Sequence, residues 1–415
     1  MTYPFLTLDD FDLEHRKVLV RLDINSPIDP ASGDLMDETR LRSHLETLRA
    51  LRDSAVVIIA HQSRPGKKDF VSLQRHARRL RRHLERLVHF QDSLFNREAL
   101  QRIDNLSSGE VLENVRFNAE EVSLKGDMET LANARYVRIL APHFDLFIND
   151  AFAAAHRLQP STVGFIPHLP SAAGWLMERE LTVLHKVLGS AERPAIAVLG
   201  GAKADDAIMI MDHMLSKGIV DRILTAGVVA NIMLIARGVD LGSPSTEFIR
   251  KHVPDADGCI ERARKLLATY GDAIGVPTDV ALNRDGERHG VTVDTLPAEY
   301  PIHDIGIDTV VRFVKEIEEA GTVIVNGPAG VFELPEFAFG TEELFHAISR
   351  TDAFTVAGGG ETSAVLTRMG LRGEVDHLST GGGACIALLS GRELPVEQAL
   401  IQAREWYLDG MYDNM

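Results

Sequence analysis

Short apolar, β-rich runs alternate with longer stretches of helical periodicity along almost the whole chain, and no other feature restricts the fold as much. KVLVRLDIN (17–25), AVVIIAH (55–61), EVLENVRF (110–117) and DLFINDAF (145–152) read as strands bounded by polar or turn residues. Helical patterns fall between them at about 38–53, 69–86 and 126–141. The scheme repeats with AIAVLGG (195–201), RILTAG (222–227), AIGVPTDVAL (273–282), TVIVNGPAG (322–330) and FTVAGGG (354–360). Such alternation builds βαβ units, and so parallel sheets covered by helices on both faces. A chain of 415 residues is long for one domain. The expectation is therefore two Rossmann-like α/β domains, each a parallel sheet flanked by helices. SAAGWLMERELTVLHKVLG (171–189) has the apolar period of a helix and predicts the connection between them.

In open α/β sheets, ligands bind beyond the carboxyl ends of the strands, and there the two halves differ. The first half ends its strands in Asp23 and Asn25, His61 and Arg64, Arg116, then Asn149, Asp150, His156 and Arg157, with Arg40 near a helix start. Any one of these arginines alone reads as a surface ion pair. Four guanidinium groups from four segments of one sheet instead suit a small, highly anionic molecule, because each can fork onto carboxylate or phosphate.

The second half has glycines where the first has arginines. AVLGGAKADDAI (197–208), VAGGGETSAVL (356–366) and HLSTGGGACIALL (377–389) each run from an apolar stretch through glycines into a helical pattern. Helix starts carry unpaired N–H groups and partial positive charge, and glycine lets a phosphate approach them closely. Lys203 adds a point charge. Neither GxxxxGK[ST] nor a strand followed by GxGxxG occurs, which speaks against P-loop NTPases and nicotinamide dehydrogenases. Glu333, at the end of VNGPAGVFE, suits ribose hydroxyls as well as it suits a solvated turn, and Asn326 is equally open. Cys385 reads as a small core residue rather than an activated thiol. No Ser-His-Asp order or HExxH spacing is present, so the chemistry points to positioning and electrostatics, as in phosphoryl transfer.

Charge narrows the partners. With 60 acidic and 44 basic residues the formal net charge is −16, which argues against nucleic acid and anionic membranes. Of the 44 basic residues 34 are arginine. The two cysteines, Cys259 and Cys385, are far apart in no metal-binding spacing, as expected in a reducing, cytoplasmic compartment. MTYPFLTLDDFDLEHRK lacks the plan of a secretion signal, and no apolar run is long enough to span a bilayer.

These motifs resemble one family closely, phosphoglycerate kinase. VRLDINSP, TRLRSHLETL, AHQSRP, LENVRF and INDAFAAAHR are similar to its substrate-side motifs, in order. LGGAKADD, NGPAGVFE, FAFGT, GGGET and HLSTGGGACIALLSGRELP resemble its nucleotide-side signatures, so the likeness runs from about residue 17 to 400. The resemblance implies reversible transfer between ATP and 3-phosphoglycerate, giving ADP and 1,3-bisphosphoglycerate, in glycolysis or gluconeogenesis. It implies a 3-phosphoglycerate-binding domain over 1–172, the connecting helix and nucleotide-binding domain over 173–395, and a tail over 396–415 returning to the first domain. Asp23, Ile24, Asn25, Arg40, His61, Gln62, Ser63, Arg64, Arg116 and Arg157 would hold the acid, Arg40 also reaching the phosphoryl group in transit. Lys203, Asn326, Glu333, Gly359, Gly360, Glu361 and Thr362 would hold the nucleotide with its Mg2+, Glu361 being the candidate metal ligand. Lys203 and the amides of Gly381, Gly382 and Gly383 would stabilise the transferring group as the domains close. A monomer or homodimer is expected.

The chain also departs from that pattern. Ala207 stands where a second lysine is common, Glu361 where an aspartate is common, and Ser63 where a glycine is usual. AGVVANIM (226–233) matches a glycine-rich nucleotide segment only loosely. The compact length and the missing lysine resemble archaeal members. A catalytically weak nucleotide-binding homologue, or a kinase of a related phosphorylated carboxylic acid, are the alternatives.

Overall fold

The computed structural model describes residues 3–414. Met1 and Thr2 of the N-terminal stretch, and Met415 of the closing segment, lie outside the described residues. The chain divides into two compact units: residues up to Thr182 together with those from Glu393 onward, and Val183–Arg392.

The first unit is built on six strands, β1 (Lys17–Arg21), β2 (Ala55–Ile59), β3 (Val88–Gln91), β4 (Gly109–Leu112), β5 (Leu146–Asn149) and β6 (Ser171–Ala173). They lie in the order β3-β4-β2-β1-β5-β6, and every pairing is parallel. Leu19 of β1 faces Val57 on one side and Phe147 on the other. A strand covered on both faces needs an unbroken apolar run rather than alternation, and VLV and AVVII supply it. The run expected as one helix over 38–53 is two, Thr39–Ser43 and Leu45–Ala50. The break falls at His44, whose ring is buried against Asp150. Leu41, Leu45 and Leu48 still pack into the core with Val20 and Ile58.

The connecting helix spans Trp175–Ser190, and β6, which the sequence reading merged with it, precedes it. The division between the units falls inside this helix, ten residues beyond the expected 172/173 boundary. Asp150 anchors the helix start, its Oδ1 accepting from the N–H groups of Leu176 (2.9 Å) and Met177 (3.2 Å). Thr47 Oγ1 accepts from the N–H of Trp175 at 3.0 Å. The helix Pro395–Leu408 packs on β6, and the N–H of Val396 donates to the carbonyl of Ala155. Beyond it, Tyr412 Oη donates to the carbonyl of Ile166 at 2.9 Å. The closing segment, which carries no readable motif, thus meets the first unit through Tyr412.

The second unit holds β7 (Ala195–Leu199), β8 (Arg222–Thr225), β9 (Ile274–Gly275), β10 (Asp279–Arg284), β11 (Glu287–Thr292), β12 (Ile302–Ile305), β13 (Thr322–Asn326), β14 (Phe354–Gly358) and β15 (His377–Leu378). Six form a parallel sheet in the order β15-β14-β13-β7-β8-β9. The run 273–282 is not one strand. It breaks around Pro277, which has no N–H to give a ladder, and β10 then pairs antiparallel with β11 and β12 in a separate three-stranded sheet. Among the described residues, no helix is long and apolar enough to cross a membrane.

Candidate functional site

Beyond the carboxyl ends of β1, β2, β4 and β5, the first unit gathers a cationic cluster. Asp23, two residues past β1, is buried and pairs through Oδ2 with Arg40 Nη1 at 2.8 Å. Its Oδ1 accepts from the N–H of Asn25 (3.1 Å), and Asn25 Oδ1 accepts from the N–H of Ser63 (2.8 Å). His44 Nε2 lies 3.0 Å from the carbonyl oxygen of Asp23 while its Nδ1 is 2.7 Å from Asp150. The loop at Asp23 is therefore tied, through His44, to the residue that anchors the connecting helix. Burial would raise the carboxyl of Asp23, but the cationic groups against it, with Arg40 and Arg21 among them, hold it well below the usual carboxylate range.

Arg21 was not among the expected site residues, because it ends an apolar strand. It is fully buried. Nε donates to Ser161 Oγ at 2.9 Å, Nη1 to the carbonyl of Leu22, and Nη2 to His61 Nδ1 at 3.0 Å. The neutral His61 ring then carries its proton on Nε2. Burial, with Arg21, Arg116 and Arg157 nearby, pushes the His61 imidazolium far below its ordinary range. Behind Arg21, Ser161 Oγ donates to Glu121 Oε1 (2.7 Å) and Tyr136 Oη to Glu121 Oε2 (2.7 Å). Arg116 Nη1 donates to the carbonyl of Ser63, and Arg157 Nε to His156 Nε2 at 3.1 Å. Burial, then the like charges of Arg157 and Arg21, lower the Arg116 guanidinium to about 10. Like charges held this close favour an incoming anion.

Two expected contacts, Ile24 and Gln62, take other parts. Ile24 is fully buried in the hydrophobic core, which leaves only its main chain to a ligand. Gln62 has its side chain committed to the Ser26 backbone, accepting from its N–H (3.1 Å) and donating to its carbonyl (2.9 Å). Arg64 is exposed, and its side chain hydrogen-bonds none of the cluster. Ser63 adopts φ +54°, a left-handed conformation that favours glycine. Its N–H bond to Asn25 and its Oγ bond to Asp69 (2.6 Å) hold it there.

In the second unit the glycines divide into two groups. Those after β7, β8 and β13 let loops pass in near contact. A Cβ on Gly200 would sit 2.2 Å from the Pro328 carbonyl oxygen, and one on Gly327 2.4 Å from that of Gly200. The N–H groups of Gly200, Gly201 and Gly227 already donate to Asn326, Pro328 and Ala329 carbonyls. The 200–201 junction is thus a packing device, not a free anion site. At Gly360 and Gly382, by contrast, a Cβ would meet no protein atom within 4 Å; these positions front open space at the starts of the helices Gly360–Met369 and Gly382–Leu389. Gly381 falls out of the expected donor set, because its N–H donates to Ser379 Oγ at 3.2 Å. Gly383 lies exposed in the same first turn as Gly382.

Asn326, at the end of β13, keeps its Nδ2 buried without a partner, close to Gly359. A buried amide donor lacking an acceptor costs about 1–3 kcal/mol, which an oxyanion there would recover. Thr362 Oγ1 instead accepts from the N–H of Gly327 (2.8 Å) and so braces the loop. Lys203 is exposed beside the start of the helix Ala204–Ser216. Ala207, in that helix, is buried. Glu333 and Glu361 line a cleft whose empty space, open mouth included, is about 940 Å³. Its far wall holds Asp304, another residue that the sequence did not mark. Asp304 accepts from Arg288 Nη1 (2.7 Å) and from the N–H groups of Gly340 (2.8 Å) and Ile305 (2.9 Å), and burial raises its carboxyl to about 6.

Two parallel-sheet units of this kind, one rich in guanidinium at its strand ends and one with open helix starts beside a cleft, have the architecture of a two-domain α/β phosphotransferase. The chain belongs to the phosphoglycerate kinase family, whose sequence model matches residues 8–392. Phosphoglycerate kinases of Methanothermobacter thermautotrophicus and Methanothermus fervidus are 48% and 47% identical to it over 408 residues, covering 97% of this chain and 98% of each of theirs. The crystal structure of phosphoglycerate kinase from Pyrococcus horikoshii matches with a TM-score of 0.87 at 37% identity, covering 96% of this chain and 99% of that one. That from Coxiella burnetii matches at 0.80 and 30% identity, covering 97% and 100%. The chain is an enzyme that transfers a phosphoryl group between ATP and the carboxyl group of 3-phosphoglycerate.

Proposed function

We propose that the cationic cluster of the first unit binds 3-phosphoglycerate and that the cleft of the second binds the nucleotide. The observation that carries this reading is the crowding of Arg21, Arg116 and Arg157, where burial and then the like charges lower Arg116 to about 10. A carboxylate oxygen of the acid forms the new O–P bond to the γ-phosphorus as the β–γ P–O bond breaks and ADP leaves. No proton need move at neutral pH, which fits a site without a general base. Arg40, Lys203 and the N–H groups of Gly382 and Gly383 meet the charge on the equatorial oxygens. Asn326 Nδ2 donates to a phosphate oxygen, and Glu333 accepts from the ribose hydroxyls.

No group of three or more His, Cys, Asp or Glu able to hold a metal occurs among the described residues. Mg2+ typically keeps several waters and binds through one or two carboxylates plus phosphate, so Glu361 fits an ion that arrives with the nucleotide. When bound, that ion supplies charge neutralisation at the phosphates. The reducing, cytoplasmic setting inferred from two free cysteines suits the activity.

Arg64→Ala or Arg157→Ala should weaken 3-phosphoglycerate binding by roughly 1.5–3 kcal/mol, the worth of a charge-assisted contact, and leave ATP affinity unmoved. Calorimetry that finds both ligands weakened equally sinks the assignment of one ligand to each unit. In-line transfer needs the reacting atoms about 3–3.5 Å apart, so both substrates together should compact the protein in solution more than either alone. Small-angle scattering with the same radius of gyration in all three states would count against substrate-driven closure. Glycerate, 2-phosphoglycerate and 3-phosphoglycerate assayed side by side test the acid; fastest turnover with either of the first two overturns it.

A further inference from the structure

The sequence holds eleven asparagines, and Asn326–Gly327 is the one place where glycine follows. That pair carries a reactivity of its own, apart from any ligand. The main-chain nitrogen of the next residue can attack an asparagine carboxamide, and glycine, lacking a Cβ, obstructs the attack least. The fold does not let glycine be replaced here. A Cβ on Gly327 would sit 2.4 Å from the Gly200 carbonyl oxygen, and φ at Gly327 is +91°. Two hydrogen bonds oppose the reaction. Asn326 ends β13, in register with Leu199 and Gly358 of the neighbouring strands. Its carbonyl accepts from the N–H of Gly200 (2.9 Å), and the N–H of Gly327 donates to Thr362 Oγ1 (2.8 Å). The peptide plane between the two residues is thus pinned at both edges. The cyclic imide needs a ψ at Asn326 far from the extended value of a strand, so closing it turns this plane and breaks both bonds. The carboxamide itself is not held, since Nδ2 has no partner among the described residues.

We propose that Asn326–Gly327 is the chain's principal deamidation site, and that Thr362 restrains it in the folded protein by holding the attacking N–H. Hydroxide takes the amide proton of Gly327, and the nitrogen forms a bond to Cγ of Asn326. The Cγ–Nδ2 bond breaks, and ammonia leaves with a proton from water. Water then opens the imide at either carbonyl, leaving aspartate or isoaspartate at 326. The net change is amide plus water to acid plus ammonia, with nothing oxidised or reduced. Either product sets an acceptor-only carboxylate where a donor to phosphate is assigned above, and isoaspartate also lengthens the main chain in a loop that passes in near contact with Gly200. The cost to activity, unlike the chemistry, rests on that assignment.

The test is incubation of the full chain at mildly alkaline pH, native and unfolded in urea. Peptide mass mapping and ammonia release follow loss of the 326 amide, and kcat/KM for ATP is read on the native samples. In urea, 326 should convert ahead of every other asparagine; in the native wild type it should convert far more slowly. A hydrogen bond of this kind is worth about two- to tenfold in an equilibrium. Folded Thr362→Val should therefore lose the 326 amide faster than wild type by that factor, and Thr362→Ser, which keeps the hydroxyl, should match the wild type. Another asparagine leading in urea, or equal rates at 326 in native and unfolded wild type, overturns the proposal without any variant having to fold. A folded Thr362→Val that converts no faster than wild type overturns it equally. Native samples converted at 326 with kcat/KM for ATP intact would overturn the phosphate contact assigned to Asn326 and leave the deamidation site standing.

Discussion

Arg40→Ala is expected to lower kcat at least about a hundredfold, some 2.7 kcal/mol of transition-state stabilisation, with a smaller effect on the KM for ATP. Losing one donor to developing charge commonly costs about 2.7–4 kcal/mol, and two features keep this site from falling below that range. Ala207 leaves it one flexible cation short, and the N–H of Gly381 is engaged by Ser379. Fewer donors share the load, so each carries more. The ion pair with Asp23 uses Nη1 alone, which orients the guanidinium and leaves the rest of the fork to face a ligand. Arg40→Lys should recover only part of the rate, since it keeps the charge and loses the fork. A variant that keeps more than a tenth of wild-type kcat, with chemistry shown to be rate-limiting, would falsify the assignment.

The second large effect is on stability. Arg21→Met should destabilise the first unit by about 3 kcal/mol or more, because removing one partner from a buried charged network leaves the other uncompensated. Here the stranded group is Glu121, buried behind Ser161 and Tyr136. Both tryptophans, Trp175 and Trp406, belong to the first unit, so tryptophan fluorescence follows its unfolding without interference from the second. Glu121→Gln added to Arg21→Met should restore part of the loss, since the neutral amide needs no counter-charge. Single and double variants equally unstable would mean that Arg21 and Glu121 are not coupled.

These two arginines also show how far the sequence can be read. Arg40 was singled out because it lies in a polar segment of a recognisable motif. Arg21 was missed because it ends the run KVLVR, where a charge reads as the strand's exposed end; only the tertiary fold buries it. The parallel sheets were legible for the same reason that their central strands are apolar throughout. β3, VHFQ, was not, because an edge strand with His89 exposed lacks that run. The three-stranded sheet of β10, β11 and β12 escaped because ERHGVT is polar and partly exposed along its length. Among the glycines, the letters could not separate loop packing at Gly200 and Gly327 from open space at Gly360 and Gly382. That difference depends on what lies within a bond length or two of an absent Cβ. Asp304 and His44 were invisible for a similar reason, since each acts through hydrogen bonds to backbone far away in the chain.

The first unit is closed by residues that come after the whole of the second. Its β6 is covered by Pro395–Leu408, and the chain between Thr182 and Glu393 forms a separate body. During synthesis, at about 5–20 residues per second, residues 183–392 must be made before that cover exists. For something on the order of 10–40 s the nascent first unit therefore waits with one flank bare, while the second has all its residues in hand as soon as Arg392 emerges. The later-encoded body can finish first. A stop codon that removes only the last twenty or so residues would thus injure the half of the enzyme encoded at the opposite end of its gene.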